Sequence, residues 1–318
     1  METIPLEPDE QQSAGLHNEE TRVREVFNQM VDEYDHLSDL WYQYTFNSVD
    51  SVLLEEFKPP KGLTHRPVAL DVGCGTGIQS LRLASMGYEV IGVDVADALV
   101  AAAKRKLAKA GYYDAEFSIA DAQHLPLEDS VADCVNCCGP TLSFIPDWRS
   151  ALREIARCLR PGGKVLFEVE GKWNLDLFWE ILNALAFNFL GYNEPLPTAL
   201  SHLRPPWNVG HSIEYEFPLE SGDSVQMPLR LFAASEIDCE LTGTGLVPVK
   251  NWGLHVITNL IPSTILHNPN PSRLLSIIFK RLSSMERRIN HVWPFTALGC
   301  SLLVVARKQN AEPDSQEE

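Results

Sequence analysis

Positive charge is scarce in this chain. Its 318 residues hold 26 Lys and Arg against 43 Asp and Glu, a formal charge of −17. A surface this acidic repels phosphates, so no nucleic-acid partner is expected. Residues 1–20 contain six acids and no Lys or Arg, and residues 309–318 contain four acids and no base. Both ends therefore read as solvated, disordered tails. No uninterrupted apolar run reaches the roughly 18 residues of a spanning helix, and no basic, export-type leader is recognisable. The seven cysteines are an odd number, expected as reduced thiols of a cytoplasmic protein. Cys134 and Cys137 form a C-x-x-C, but no second ligand pair stands at zinc spacing. They read as core residues, and no metal is expected.

What is present is a core-forming chain, 45% hydrophobic and long enough for one large domain with insertions or for two domains. Its centre is Val68-Ala-Leu-Asp-Val-Gly-Cys-Gly-Thr-Gly77. An apolar, β-branched start predicts a buried strand. Gly73, Gly75 and Gly77 then allow a sharp turn with bare backbone against a ligand. A helical pattern begins at Ile78, so backbone N–H groups of a helix start face that turn. A dinucleotide fingerprint would place its third glycine at position 78, which is Ile78, and a phosphate-gripping loop would need a lysine that is missing. Asp71 ends the strand, where a carboxylate repels a pyrophosphate and suits an amino group.

Strands and helices alternate beyond this turn. Tyr88–Asp94, Glu116–Ala120, Ala132–Cys138 and Lys164–Val169 read as strands, with helices at 96–110 and Ala151–Leu159. That rhythm predicts a parallel sheet with helices on both faces, and ligands at the carboxyl ends of its strands. Asp71, Asp94 and Asp121 each fall at such an end. A lone aspartate there is a turn former or helix cap; three in succession behind G-x-G-x-G suggest a nucleoside site. Asp94 is placed to accept both hydroxyls of a ribose, and Asp121 an exocyclic amine with Ala122 backbone beside it.

Four stretches together resemble the class I S-adenosylmethionine-dependent methyltransferases: Leu70–Gly77, Val90–Asp94, Ala120–Leu127 and Leu159–Gly163. The resemblance spans residues 67–170. It implies a Rossmann-like α/β fold with a seven-stranded, mostly parallel sheet whose final strand is antiparallel. It also implies S-adenosylmethionine as cofactor, contacted by Asp71, Gly73, Cys74, Gly75, Gly77, Asp94, Val95, Asp121, Ala122 and Cys138. Cys138–Phe144 would border the reacting centre, with Gly139 and Phe144 toward the substrate. Residues 21–57 read as helical, and Val26–Asp35 is similar to the segment that covers the cofactor in quinone-biosynthesis and related small-molecule methyltransferases, with Tyr34 near it. A helix that merely packs on the domain is the competing reading. His124, His202, His211, His255, Tyr34 and Tyr42 are candidate bases, none with a recognisable partner, so no catalytic base is assigned.

The second half is less familiar. Residues 171–232 form an insertion expected to hold an apolar helix at 173–191, a Pro-rich loop and a hairpin at Ile213–Phe217 and Val225–Leu231. Residues 233–308 should complete the sheet, with helix Ala234–Thr242, strands Val247–Ile257 and Ala297–Ala306, and a second insertion at 259–294. In 173–191 the polar residues Asp176, Glu180 and Asn183 keep to one strip. In 272–290, Leu274, Leu275, Ile278, Phe279, Leu282, Met285 and Ile289 share a side, with five bases elsewhere and one acid, Glu286. Basic amphipathic helices suit anionic lipid; amphipathic helices also bury such faces in a core. The expected activity is methyl transfer to a small lipophilic, quinone- or lipid-like acceptor, with peripheral membrane contact through 272–290. A water-soluble amine or acid acceptor, a non-catalytic S-adenosylmethionine sensor or subunit, and an NAD-dependent dehydrogenase are the alternatives.

Overall fold

The computed structural model describes residues 8–31, 39–59, 62, 66–192, 195–202, 208–218 and 224–310. Two helices, α1 (Pro8–Gln29) and α2 (Leu40–Glu56), precede the sheet. Then come β1 (Val68–Val72), α3 (Ile78–Ser85), β2 (Glu89–Asp94), α4 (Asp97–Lys109), β3 (Glu116–Ile119), β4 (Ala132–Cys137), the short α5 (Thr141–Phe144), α6 (Trp148–Cys158) and β5 (Leu159–Gly171). The first insertion carries α7 (Asp176–Leu185), α8 (Leu196–His202) and the hairpin β6 (His211–Pro218) and β7 (Ser224–Phe232). Next are α9 (Ala234–Gly243), β8 (Leu246–Leu254), a 3-10 turn (Thr258–Leu260), α10 (Ser263–Leu266), α11 (Arg273–Glu286) and β9 (Ser301–Lys308).

β1 to β5 are parallel in the order β3-β2-β1-β4-β5, and β9 runs antiparallel between β5 and β8. These are the seven expected strands. The hairpin joins them, because Glu170 and Gly171 at the end of β5 pair with Leu231 and Phe232 of β7, making a nine-stranded sheet. Alternate residues of the strands feed two cores, as the period-2 pleat requires. On one face Val135, Cys137, Phe167 and Val304 pack with Leu152 and Ile155 of α6 and Ile237 of α9. On the other, Cys134, Leu166, Leu303 and Val305 pack with Leu53 of α2, Leu83 of α3 and Leu107 of α4. Cys134 and Cys137 therefore lie on opposite faces and cannot share a metal, which is the geometry of core packing.

Several boundaries differ from the sequence reading; the last strand begins at Ser301 rather than Ala297, because Phe295–Ala297 form a 3-10 turn. The N-terminal tail was expected to extend through residue 20, but α1 begins at Pro8. Val23, Val26 and Met30 dock on Met227, Leu229 and Leu231 of the hairpin, and Arg230 Nη2 donates to Glu19 at 2.7 Å. A distant strand thus gives this stretch the apolar partner that its own sequence does not reveal. Tyr34 and Asp35 lie outside the described residues. The helix expected over 173–191 stops at Leu185, because Phe187 (φ 57°) and Asn188 (φ 60°) adopt left-handed backbone. Asn183 holds that turn, donating to Asn188 Oδ1 and accepting from Leu190 N–H, both at 2.6 Å. The Pro-rich loop contains α8.

Both inserted helices sit inside out. In α7 the strip of Asp176, Glu180 and Asn183 faces the protein, while Phe178, Leu182 and Leu185 are exposed, followed by the fully exposed Phe187 and by Phe189. In α11 the predicted apolar side is split. Phe279 is buried beside Ser283 and Glu286, and Leu274, Ile277, Ile278 and Met285 point outward with Arg281 and Arg288. The reason is Glu286, whose Oε2 accepts from Ile257 N–H, Thr258 N–H and Thr258 Oγ at 2.8, 2.7 and 3.0 Å. Giving the buried Oε2 its three donors fixes the helix's rotation more firmly than burying two more leucines would.

The end of β5 is tied to α9 by Lys172, whose Nζ donates to Glu236 Oε1 at 2.6 Å and to Asn208 carbonyl at 2.8 Å, with side chains only 5% and 12% exposed. Lys172→Ala leaves a buried carboxylate without its cation and should cost about 3–5 kcal/mol in urea unfolding. Lys172→Met combined with Glu236→Gln should lose much less.

Candidate functional site

Two cavities open at the carboxyl ends of the parallel strands. The first encloses about 700 Å³. Its floor is the turn after β1. Gly73 (φ 69°), Gly75 (φ 51°) and Gly77 (φ 81°) all adopt left-handed backbone. A Cβ on Gly73 would collide with the Thr141 side chain. Gly73, Gly75, Asp94, Val95, Asp121 and Ala122 line this cavity, with Leu99, Gln123, Thr141 and Ile145, and α1 closes it through Glu20, Val23 and Phe27.

Asp94 is half-buried; its Oδ2 accepts from Gly75 N–H and its Oδ1 from Ala96 N–H, both at 2.9 Å. Burial raises its pKa, and those amides hold it partly down. Asp121 accepts from Gln123 N–H at 2.8 Å and from Gln123 Nε2 at 3.0 and 2.9 Å, while Gln123 Oε1 accepts from Asp147 N–H at 3.0 Å. Gln123 thus stands between Asp121 and the cavity, a residue the sequence reading missed.

Four sequence-predicted contacts lie behind the cavity wall. Asp71 is 1% exposed and donates nothing to the cavity surface. Its Oδ1 accepts from Asn136 Nδ2 at 2.8 Å and its Oδ2 from Ser80 Oγ, so it bolts β4 and α3 to β1. Burial pushes its pKa up to about 6. Cys74 and Cys138 are buried with the sheet's apolar side chains, and Gly77 packs against Ala103 and Leu107. A strand-end position leaves both faces open in sequence; only the pleat decides which side chain meets the cavity.

The second cavity, about 1170 Å³, shares Phe27, Gly139 and Phe144 with the first. Trp41, Tyr42, Thr45 and Phe46 of α2 form one wall, Ile213, Tyr215, Leu229 and Leu231 of the hairpin another, and Asp176, Leu177 and Glu180 of α7 a third. Glu168 and Glu170 of β5 enter from below. Glu168 is satisfied: Oε2 accepts from Gly139 N–H at 2.7 Å and Oε1 from Ser301 Oγ at 2.9 Å. Glu170 has its pKa pushed up to about 8, by burial first and then by Glu168 and Asp176, so near neutrality it holds its proton. His267 also reaches this wall, with Nδ1 3.0 Å from Asp39 Oδ2. Among the predicted bases, His124 is exposed to solvent and the side chain of His202 is outside the described residues. His255 is fully buried, stacked on Trp41 at 3.6 Å and bonded to Thr45 and Thr258 hydroxyls, so it is scaffold.

Residues 70–167 match a family model described as a methyltransferase domain. They form a class I methyltransferase domain. The chain is 30% identical over 154 residues to the demethylmenaquinone methyltransferase of Bacillus cytotoxicus, covering 47% of this chain and 62% of that protein. It is 35% identical over 150 residues to the Lactococcus lactis demethylmenaquinone methyltransferase, covering 46% and 58%. It thus spans less than two thirds of these curated relatives. An S-adenosylmethionine-dependent methyltransferase from Methanosarcina mazei superposes with a TM-score of 0.50 at 20% identity, over 78% of this chain and 95% of that one. A chain from the Haloferax volcanii complex of the Trm112 methyltransferase activator with its methyltransferase gives 0.52 at 17%, over 92% and 99%. At such identities the structures speak for the fold alone.

The methyltransferase domain takes S-adenosylmethionine as cofactor, and the first cavity fits it. Glu20, Asp94 and Asp121 supply three carboxylates, and no Lys or Arg is among the described residues of its lining. That field favours a sulfonium with an ammonium and opposes the pyrophosphate of a dinucleotide. Gly73→Ala should lower S-adenosylmethionine affinity at least tenfold, read by calorimetry, because it combines a strained φ with a collision at Thr141.

Proposed function

We propose that the protein transfers the S-adenosylmethionine methyl group to a small lipophilic acceptor of the hydroquinone type, taken from an anionic lipid surface. The observation that carries this reading is the second cavity, which meets the cofactor cavity at Phe27, Gly139 and Phe144 and is walled by α7, whose outer side exposes Phe178, Leu182 and Leu185. The relatives named for demethylmenaquinone support the acceptor class.

When bound, S-adenosylmethionine supplies a methyl group already activated toward displacement. The chain's contribution is then placement and exclusion of water. Gly73 and Gly75 present bare backbone, Asp94 receives the ribose hydroxyls, and the Asp121–Gln123 pair meets the base edge. Residues 21–57, through Phe27 and the aromatic wall of α2, cover the reacting centre. The insertions 171–232 and 259–294 shape the acceptor side. Among the described residues no helix is long and apolar enough to cross a membrane. This reading takes contact with lipid as peripheral, at the cytoplasmic face. Leu274, Ile277, Ile278 and Met285 would enter the acyl boundary, with Arg281 and Arg288 among the headgroups. A second reading rests on the four chamber acids, Glu168, Glu170, Asp176 and Glu180, which would also receive a soluble amine.

Two measurements test the proposal. Asp94→Asn keeps the shape of the side chain and removes a charge-assisted acceptor; S-adenosylmethionine should bind roughly ten- to a hundredfold more weakly, at a cost of about 1.5–3 kcal/mol, and NAD should give no heat with either protein. Equal affinity in the variant removes Asp94 from the cofactor site. Wild type should also sediment with phosphatidylglycerol vesicles and not with neutral ones. At about 1 kcal/mol per base, Arg281→Glu/Arg288→Glu should weaken this about thirtyfold or more without changing cofactor affinity. Wild type that ignores anionic vesicles and methylates only soluble amines would replace the first reading by the second.

A further inference from the structure

We infer that His267, held by Asp39, is the general base of the acceptor chamber: its Nε2 takes the proton from a hydroxyl of the methyl acceptor. This rests on the hydroquinone reading above and adds the group that makes such an acceptor nucleophilic.

Asp39 is a buried residue that caps α2. Its Oδ1 accepts from Tyr42 N–H at 2.9 Å, and its Oδ2 faces His267 Nδ1 at 3.0 Å. The two residues are 228 positions apart, so no local turn explains the contact. A carboxylate can only accept, so Nδ1 carries the proton, and in the neutral ring the lone pair sits on Nε2. Trp41 and Tyr42 flank the ring, with centroids 5.3 and 5.2 Å away, which limits its rotation. The ring is partly exposed and lines the chamber, and no hydrogen bond engages its Nε2 among the described residues. An imidazole with one nitrogen fixed by a buried aspartate and the other free in a cavity is an arrangement for accepting a proton.

Two other candidates are spent. Both oxygens of Glu168 and both nitrogens of His255 are engaged. Glu170 stands in the same chamber, its pKa pushed up to about 8 by burial and then by Glu168 and Asp176. The titratable groups facing His267 are Asp39 and Tyr42 of α2, Glu168 and Glu170 of β5, Asp176 and Glu180 of α7, and Tyr215 of β6, with His255 behind Trp41.

The balance is simple. The hydroxyl proton passes to Nε2, and the electron pair it leaves forms the new bond to the methyl carbon. The methyl–sulfur bond breaks with its pair on sulfur, giving a neutral thioether. The positive charge ends on the imidazolium, which then loses its proton to water. If the attacking atom is the ring carbon beside the hydroxyl, its C–H proton leaves afterwards and the hydroxyl is regained, so one proton is released in either case.

The test uses the full chain. Two-bond 1H–15N correlation of the histidine rings, without any substrate, should show His267 as the Nδ1–H tautomer in wild type and as a mixture in Asp39→Asn. An Nε2–H tautomer in wild type overturns the inference. With 1,4-dihydroxynaphthalene as acceptor, His267→Gln should lower kcat by roughly 10²–10⁴-fold, abolish the loss of rate at low pH, and leave S-adenosylmethionine affinity unchanged, which also reports folding. Asp39→Asn should lower kcat less and shift that pH limb. Added imidazole should restore part of the rate in His267→Ala. A His267→Gln enzyme with wild-type kcat and pH limb overturns the inference while the acceptor reading stands. If wild type methylates phenethylamine and no hydroquinone, the acceptor reading fails, and the same loss in His267→Gln on the amine still supports the base. Wild type inactive on both overturns both.

Discussion

A buried carboxylate holds the cofactor turn in place. Asp71 accepts from Asn136 on β4 and from Ser80 on α3, so the strand before the glycine turn, the helix after it and the neighbouring strand share one bolt. The turn itself is three glycines in left-handed backbone, a conformation with little side-chain packing of its own to define it. The turn is anchored on β2 as well, where Gly73 and Cys74 N–H donate to the Val93 carbonyl at 2.8 and 3.0 Å, and together these bonds keep Gly73 against Thr141 and Gly75 N–H on Asp94. Everything that meets the first cavity, from Asp94 to α1, is placed relative to this point.

The second dependence is polar as well. Glu286 under α11 and the Asp176–Glu180 strip of α7 turn inward because buried donors, or the chamber, claim them. The apolar sides of both helices then have nowhere to go but outward. A fold that satisfied hydrophobic burial first would have rotated both helices the other way. Here the unpaired polar group is the costlier alternative, and the exposed apolar rim is its consequence.

The same logic links the chamber to the N-terminal helices. α1 is held by the hairpin and by Asn28, which donates to Asp97 Oδ1 at 2.8 Å and accepts from Ala98 N–H at 3.0 Å at the start of α4. α2 is held by its own core and by the Asp39–His267 contact. α1 therefore lies across the junction of the two cavities, where Phe27 contacts Phe144 edge-to-face at 5.4 Å, and α2 walls the second.

The local pattern by itself determined the parallel sheet, the glycine turn, the strand-end acids Asp94 and Asp121, and the hairpin, because period, glycine spacing and turn residues are local quantities. It also located two amphipathic helices. It did not determine that Asp71 faces the interior while Asp94 faces the cavity, since both end strands and only the pleat separates them. It could not orient α7 or α11, because the partner that decides their rotation lies elsewhere in the chain. Nor could it single out His267 among nine histidines, because Asp39 is 228 residues away and the pair exists only once α2 and the second insertion meet over the sheet. What depends on neighbours in sequence was legible there; what depends on which side chains meet across the fold was decided by tertiary structure.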